Sequence, residues 1–252
     1  MLSEYGAKGI CAAVIFLDAW VGIYLAVVLK DKSRRVVSLL NVFAGSLFLS
    51  VAMLDLLPDV TSKSEKLFKG PFEYVVAMAA FYLTWLLEGG HDHDTLLEED
   101  SSGGIVALTS ALSLHSIFAG LSNGMIEGGN VWGMLIAICA HKWSVAAAFS
   151  LSVFRAKLSK AVQWTIIVAF SLETPVGVLI GMGLSEYADS DWYSWLFVFT
   201  QAISLGCFFF VAIIEILAPE MKRPGDLGWK LLAIACGILI ISCVVIIPEY
   251  HH

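Results

Sequence analysis

The chain consists of long apolar segments separated by short polar stretches. Eight segments approach the roughly 20 residues with which an α-helix crosses a hydrocarbon core. All of them must be helical, because an open strand cannot satisfy its backbone hydrogen bonds in lipid. The predicted spans are Gly6–Leu29, Val36–Leu57, Phe72–Leu87, Ile105–Ile126, Val131–Phe154, Val162–Leu184, Trp195–Leu217 and Trp229–Ile247.

The composition agrees with one polytopic, all-α membrane domain over residues 1–252. Hydrophobic residues make up 58% and charged residues 15% of the chain, whereas soluble domains have about 45–50% and about 25%. These values exclude a disordered chain, a collagen-like chain and almost any ordinary soluble enzyme. The net charge is −7 without a basic stripe, so the predicted surroundings are a lipid bilayer and not nucleic acid.

Lysine and arginine are unequally divided between the two sides of the predicted bundle. The side with the loops after spans one, three, five and seven carries ten: Lys30, Lys32, Arg34, Arg35, Arg155, Lys157, Lys160, Lys222, Arg223 and Lys230. The side with both termini carries four: Lys8, Lys63, Lys66 and Lys69. Because cytoplasmic loops hold the excess of positive charge, the first side is predicted to be cytosolic and both termini non-cytosolic.

Two polar dipeptides lie in the middle of neighbouring spans. Span four contains His115 followed by Ser116, and span five contains His141 followed by Lys142. The turn between these spans is short, so both dipeptides are predicted to lie at similar depth, near the bilayer midplane. Two facing imidazoles are good ligands for a borderline-soft divalent cation. The alternative is a pair of histidines that hydrogen-bond across a helix interface.

Two carboxylates could belong to the same path. A charged side chain inside a span costs at least ~2.5–3.5 kcal/mol and needs a cavity, a partner or a ligand. Glu173 in span six precedes Pro175; it is either a third wall of the cavity or a carboxyl group at a kink, neutral or paired with Lys142. Asp55 lies three residues before Pro58 and is either an entrance group or a solvated side chain.

Several segments together resemble a known family. Span four reads H-S-I-F-A-G-L-S-N-G from His115, and span five reads H-K-W-S-V-A-A-A-F-S from His141. Span two contains D-L-L-P from Asp55, and span six contains T-P-V-G from Thr174. Their order and spacing resemble the ZIP (Zrt/Irt-like) metal transporters over nearly the whole chain, in the subgroup with H-S-x-x-x-G in span four and H-K in span five.

The resemblance implies a divalent-metal permease that moves zinc, iron or a related ion toward the cytosol. It implies eight helices in a 3+2+3 arrangement, with spans four and five lining the path. The implied metal ligands are His115 and His141, with Ser116 in the same groove and Asn123 on the ion path. Zn²⁺, or else Fe²⁺, Cd²⁺ or Mn²⁺, is expected as the transported substrate and not as a cofactor. Family members tend to dimerise, so a homodimer is a further expectation, and the plasma membrane is the expected location.

Three positions depart from the family pattern. The acidic residue of the fourth-span signature is replaced by Ala119, and the histidine of span two by Asp55. Lys142 is interpreted as a fixed cation in the place of a second metal, which favours one metal ion. The resulting site is poor in negative charge, and Glu173 is the nearest candidate to supply a carboxylate.

Two other functions compete with transport. A degenerate relative could bind metal weakly as a sensor or partner subunit, an interpretation that Ala119 favours. An intramembrane metal enzyme would need a general base beside the metal, as in H-E-x-x-H, and the chain has no such motif; we therefore predict no enzymatic activity. The acidic loop of about residues 89–104 contains His91 and His93, which form either a weak regulatory metal site or part of a solvated loop.

The charge distribution predicts that both termini face the non-cytosolic side. An epitope placed after His252 should therefore be stained on intact cells that carry the protein at their surface. Staining that requires permeabilisation of the cells would contradict this orientation.

Overall fold

The computed structural model describes residues 4–89, 102–126, 131–187 and 190–249, and within these ranges the chain is helical without strands. The predicted polytopic all-α fold is confirmed, and each predicted span lies on one long helix. The helices are α1 (Glu4–Leu29), α2 (Arg34–Leu67), α3 (Phe72–Gly89), α4 (Ser102–Met125), α5 (Val131–Arg155), α6 (Lys160–Leu184), α7 (Asp191–Lys222) and α8 (Leu227–Glu249).

The helices have the length and apolarity of membrane spans. Six of them, α1, α2, α5, α6, α7 and α8, qualify over their described residues, and Phe72–Leu86 of α3 is a shorter apolar helix. With 24 residues, α4 is about 36 Å long at 1.5 Å per residue. Large apolar side chains such as Leu17, Leu83, Leu179 and Leu239 are exposed on α1, α3, α6 and α8. The chain is an integral multi-pass membrane protein whose outer helices present these side chains to lipid.

Two helices contain a π-helical stretch just before a proline. The stretch Ala52–Leu56 precedes Pro58 in α2, and Phe210–Leu217 precedes Pro219 in α7. Proline lacks a backbone N–H, and its ring clashes with the carbonyl group four residues earlier. A π turn is wider than an α turn, so we infer that it accommodates the proline ring and lets the helix continue.

The predicted end of span two is therefore wrong. The helix continues beyond Pro58 to Leu67, so Lys63 and Lys66 lie on α2 and not in a polar loop. Span seven is likewise longer than its apolar pattern predicts and ends at Lys222.

The eight helices of the described ranges pack as two groups of four. In the first group, α1 contacts α5 and α6, and α4 contacts α6. In the second group, α2 contacts α7 and α8, and α3 contacts α7. Exchanging α1 with α6, α2 with α7, α3 with α8 and α4 with α5 leaves this set of contacts the same. The contact of α1 with α5 becomes that of α4 with α6, and the contact of α2 with α8 becomes that of α3 with α7. The two groups meet where α4 packs on α7 and α5 packs on α2.

Glycines bring the backbones of α4 and α6 into direct contact. A β-carbon on Gly120 would lie 2.1 Å from the carbonyl oxygen of Thr174, and one on Gly177 would lie 2.3 Å from a carbonyl oxygen of α4. The same close approach recurs one turn later at Gly124 and Gly181. Small residues allow membrane helices to approach this closely, so the first group is held rigidly around α4.

Gly177→Ala should lower the stability of the protein, because the new methyl group meets backbone atoms that cannot move aside. We expect a cost of ~1–3 kcal/mol, the usual range for overpacking. Gly183→Ala on the same helix is the matched control, since a β-carbon there meets nothing within 4 Å, and alanine favours a helix by roughly 0.5–1 kcal/mol over glycine. Thermal unfolding in detergent should separate the two variants, and equal midpoints would contradict the packing described.

Candidate metal site

A cavity of about 860 Å³ lies between the two helix groups. It occupies the half of the bundle in which α1 begins and α8 ends, and its lining comes from α2, α4, α5, α7 and α8. His115 and His141, both near the middle of their helices, line its deep end, together with Ala119. Nearer the mouth the lining includes Asp55, Asp59, Lys63, Lys66, Met125, Ile126, Tyr193 and Ser194.

The two histidine side chains lie next to each other, as their matched distances from the turn predict. Their ring centroids are 6.1 Å apart and the ring planes are inclined by 54°. Two imidazoles on one tetrahedral Zn²⁺, with bonds of about 2.0–2.1 Å, have centroids about 5 Å apart. The observed separation of the two rings is thus about 1 Å longer than in such a pair.

Both histidines use the same ring nitrogen for a bond within the protein. Nδ1 of His141 donates to the carbonyl oxygen of Ala137 at 2.8 Å. Nδ1 of His115 is 2.7 Å from Oγ of Ser204. An imidazole whose Nδ1 donates a hydrogen bond presents the lone pair of Nε2 to a metal. His141 is held in this form by the carbonyl oxygen of Ala137, and His115 adopts the same form when its Nδ1 donates to Ser204.

Hydrogen bonds from α7 hold α4 in place along the cavity. Besides the contact between Ser204 and His115, Nε2 of Gln201 donates to Oγ of Ser122 at 3.2 Å. Near the mouth, the hydroxyl group of Tyr193 donates to the carbonyl oxygen of Met125 at 3.1 Å. These three contacts link the two helix groups on the wall that carries His115.

The ring of Phe208 packs directly against the histidines. Its centroid is 3.6 Å from that of His115 and 6.4 Å from that of His141. Phe208 is 1% exposed and packs edge-on against Phe48 of α2, with centroids 5.5 Å apart. The two aromatic rings fill the space between the helix groups beside the histidine pair.

The wall near the mouth carries charges of both signs. Asp55 lies in the π-helical stretch of α2 and is half-buried, and Asp59 follows one turn later. Nζ of Lys63 is 3.1 Å from a carboxylate oxygen of Asp59 and 3.7 Å from the ring centroid of Phe197. The ammonium group of Lys63 therefore lies near the carboxylates at the mouth of the cavity.

Lys142 follows His141 but is directed into the first helix group. Its ammonium group donates to the hydroxyl groups of Ser116 and Thr174, each at 2.9 Å, and lies 4.3 Å from the ring centroid of Phe170. Neither Lys142 nor Ser116 is among the residues that line the cavity. The lysine therefore ties α5 to α4 and α6 behind the histidine pair.

The family model of the ZIP zinc transporters matches residues 88–245, which is more than half of the chain. The chain belongs to the ZIP zinc transporter family. The resemblance inferred from the motifs is thereby confirmed, and the family is one of metal transporters.

Known ZIP proteins are similar to this chain over most of their length. The chain is 24% identical to zinc transporter ZIP3 of Homo sapiens, in an alignment that covers 95% of this chain and 97% of the relative. It is 26% identical to zinc transporter 11 of Arabidopsis thaliana, over 97% and 86%. It is 27% identical to zinc transporter ZIP1 of Takifugu rubripes, over 85% and 86%.

Besides Ser116 and Lys142, two more of the expected polar residues of this ZIP protein lie away from the cavity lining, so the prediction that Ser116 shares the groove of the histidines is wrong for this cavity. Glu173 of α6 is partly buried, and its Oε1 accepts a hydrogen bond from Ser113 at 2.6 Å. Asn123 of α4 is fully buried, whereas Ser122 lines the cavity, because successive residues on a helix point about 100° apart. His91 and His93 lie outside the described residues.

The histidine pair has few other strong metal ligands around it. Within the described ranges, no three His, Cys, Asp or Glu side chains lie close enough together to hold one metal ion. The side chain of Ala119, one turn after His115, occupies the lining where the family signature places a carboxylate. The site therefore consists of two neutral imidazoles without an adjacent negative charge.

Sequence reasoning did not identify three residues that shape this site: Ser204, Gln201 and Phe208. Each lies on α7, about 80–90 residues after its partner on α4. The available signal is a short polar stretch, Thr200, Gln201 and Ser204, within the apolar seventh span. Which of them faces a histidine depends on how α7 packs against α4.

Ser204→Ala should weaken metal binding about tenfold, the lower end of the usual loss when the partner of a ligating histidine is removed. The substitution leaves Nδ1 of His115 without its hydroxyl partner, so the ring loses its fixed orientation. Zn²⁺ titration against a fluorescent chelator measures the affinity. Ser171→Ala is the control, because that buried hydroxyl group donates within its own helix, to the carbonyl oxygen of Val168. Unchanged affinity in Ser204→Ala would show that the hydroxyl group does not orient the ligand.

Proposed function

We propose that this protein transports Zn²⁺ through the cavity between the two helix groups, with His115 and His141 as the transport site. The observation that carries the proposal is the neighbouring pair of imidazoles, each engaged at Nδ1, on the lining of one cavity. Imidazole nitrogen is a preferred ligand of zinc. If the two histidines only formed a hydrogen bond across a helix interface, they would not need a cavity of this size beside them.

The remaining coordination positions fall to neutral oxygen atoms. Gln201 lines the cavity, and its buried Oε1 has no hydrogen-bond partner. This oxygen and water molecules could complete the coordination of an ion held by His115 and His141. A site without a carboxylate binds a dication less tightly than the acidic form of the family signature. Modest affinity is compatible with transport, since the ion must also leave.

The direction proposed for transport is from the non-cytosolic side toward the cytosol. The cavity occupies the end of the bundle at which α1 begins and α8 ends, and the lysine and arginine count predicts that this end faces away from the cytosol. Beyond the histidines, Phe208 and Phe48 are packed together. A cavity that opens on the non-cytosolic side and is closed by aromatic rings on the cytosolic side supports metal entry from the non-cytosolic side. The plasma membrane is the proposed location.

Lys142 supports a single transport site. Its ammonium group is buried beside Ser116 and Thr174 and immediately follows the ligand His141. A second dication at this position would be repelled by the lysine charge in a medium of low dielectric constant. We therefore propose that one metal ion binds, and that Lys142 stabilises the helix group that carries it.

A second candidate function is weak metal binding by a sensor or partner subunit. The absence of a third acidic, histidine or cysteine ligand within the described ranges favours it. The two candidates differ in flux, because a sensor binds metal without moving it across the membrane.

Uptake of radioactive zinc into vesicles reconstituted with the protein tests the proposed transport. His115→Ala and His141→Ala should each reduce uptake at least tenfold, because one imidazole cannot hold the ion in the path. Cys236→Ala on the exposed face of α8 is the control and should transport normally. Iron, cadmium and manganese as competitors would define the range of transported ions. Zinc binding without uptake would favour the sensor, and normal uptake in both histidine variants would refute the proposed site.

Ala119→Glu should tighten zinc binding, because a carboxylate on the cavity lining one turn after His115 attracts the dication strongly at low dielectric constant. We expect a lower apparent KM with an unchanged or reduced maximal uptake, since a firmly held ion leaves slowly. Ala119→Gln has almost the same size without the charge and should not tighten binding. If both variants bind zinc like the unmodified protein, position 119 does not face the ion.

A further inference from the structure

A second cavity lies at the opposite end of the bundle from the metal site. Its volume is about 490 Å³, and it lies between the start of α2 and the connection from α7 to α8. Its lining consists of Arg34, Arg35, Ser38, Leu39, Arg223, Pro224, Gly225, Asp226 and Lys230. None of these residues lines the cavity that contains the histidines.

The lining of this cavity is strongly cationic. It contains three arginines and a lysine but one carboxylate, that of Asp226, which forms an ion pair with Arg35 at 2.8 Å. A second carboxylate, that of Glu220, lies behind the lining and is 3.3 Å from Arg223. The hydroxyl group of Ser38 and the amide of Asn41 also donate to Glu220. The lining thus carries four cationic side chains and one carboxylate, and Glu220 is not part of it.

Among these cations, Lys230 gives the strongest indication that the cavity binds an anion. The residue is 3% exposed, and its ammonium group donates to the carbonyl oxygens of Glu220 and Arg223 at 2.7 and 2.8 Å. Within the described ranges no carboxylate forms an ion pair with it, and one of its three N–H groups is not used by these two bonds. A buried charge held by neutral partners is costly, and an anion in the cavity would offset that cost.

The backbone adds to the attraction for an anion. Two helices begin beside the cavity, α2 at Arg34 and α8 at Leu227. Neither has an acidic residue in its first turn, and Asp226 directly precedes α8, with its carboxylate paired to Arg35. The N-cap residue Ser33 makes no side-chain capping bond to α2. The N-terminus of a helix carries a partial positive charge and free N–H groups that favour phosphate.

The position of the cavity points to a lipid as the source of that anion. On α8, Trp229 is 56% exposed, and exposed tryptophan is typical of the headgroup level of a membrane. Leu231 and Leu232, immediately after the buried Lys230, are exposed apolar side chains that fit a lipid-facing surface. The cavity therefore lies beside lipid at headgroup depth, on the side proposed as cytosolic, where anionic lipids are concentrated.

We propose that this cavity binds the phosphate group of an anionic lipid headgroup, held by Arg34, Arg223 and Lys230. Basic pockets between membrane helices recognise polyanionic headgroups in this way. The site would join α2 to α8 through the bound lipid. It is separate from the proposed zinc site, so either proposal can fail without the other.

Binding of short-chain phosphatidylinositol bisphosphate to the purified full-length protein, measured by native mass spectrometry, tests the proposal. Phosphatidylcholine of the same chain length is the neutral comparison, and inositol trisphosphate and inorganic phosphate are the soluble ones. Arg34→Gln combined with Arg223→Gln should weaken binding of the phosphorylated lipid at least tenfold. The matched control removes two exposed charges from the same side, Lys32→Gln with Lys160→Gln, and should bind normally.

A third variant makes the charge of the cavity lining more positive without removing any cation, and so tests whether lipid binding becomes tighter. Asp226→Asn deletes the one carboxylate of the lining and should tighten lipid binding severalfold. Asparagine also tolerates the positive φ of 55° at this position, so the turn is preserved. These results together would support the proposal.

Three outcomes would overturn it. Equal losses in the two double variants would indicate general surface attraction instead of a site. No preference for the phosphorylated lipid over phosphatidylcholine would exclude headgroup recognition. Inositol trisphosphate or phosphate that binds with the same dependence on the variants, while the lipid does not, would assign the cavity to a soluble anion.

Discussion

Lipid offers no hydrogen-bond partner, so a polar side chain in the middle of a membrane protein depends on the protein itself. His115 is held by Ser204, His141 by the carbonyl oxygen of Ala137, and Lys142 by two hydroxyl groups. These bonds use one nitrogen of each imidazole. The other nitrogen can remain available only beside a cavity, and this requirement determines where the site lies.

The packing of the helices explains why the cavity lies between the groups and not within them. Inside the first group, glycines place the backbones of α4 and α6 in contact, which leaves no space for an ion. Between the groups, α4 meets α7 through polar and aromatic side chains, including Ser204, Gln201 and Phe208. Side-chain contacts are looser than backbone contacts and can be rearranged. A relative movement of the two helix groups would therefore change the surroundings of a metal ion bound at this boundary.

The apolar pattern predicts the eight spans well, because each helix must be apolar over the thickness of the membrane. It also predicts the pairing of His115 with His141, since both lie at similar distances from one short turn. It fails at Pro58, where a π-helical stretch lets α2 continue, because a π turn has no signature in the apolar pattern. The apolar pattern does not predict the hydrogen bond between Lys142 and Ser116 behind the cavity, or the contact between Ser204 and His115. Both contacts depend on how each helix is rotated and on packing between segments that are distant in the sequence.

The central claim is that one ion binds to Nε2 of both histidines, and X-ray absorption at the zinc edge tests it most directly. The protein should carry no affinity tag of histidines and one equivalent of zinc. Because four other histidines lie elsewhere in the chain, the informative quantity is the difference between the unmodified protein and the His115→Ala, His141→Ala double variant. We predict that the unmodified protein shows scattering from two imidazoles with Zn–N distances of about 2.0–2.1 Å, and that the variant loses it. Identical spectra from the two proteins would contradict the account.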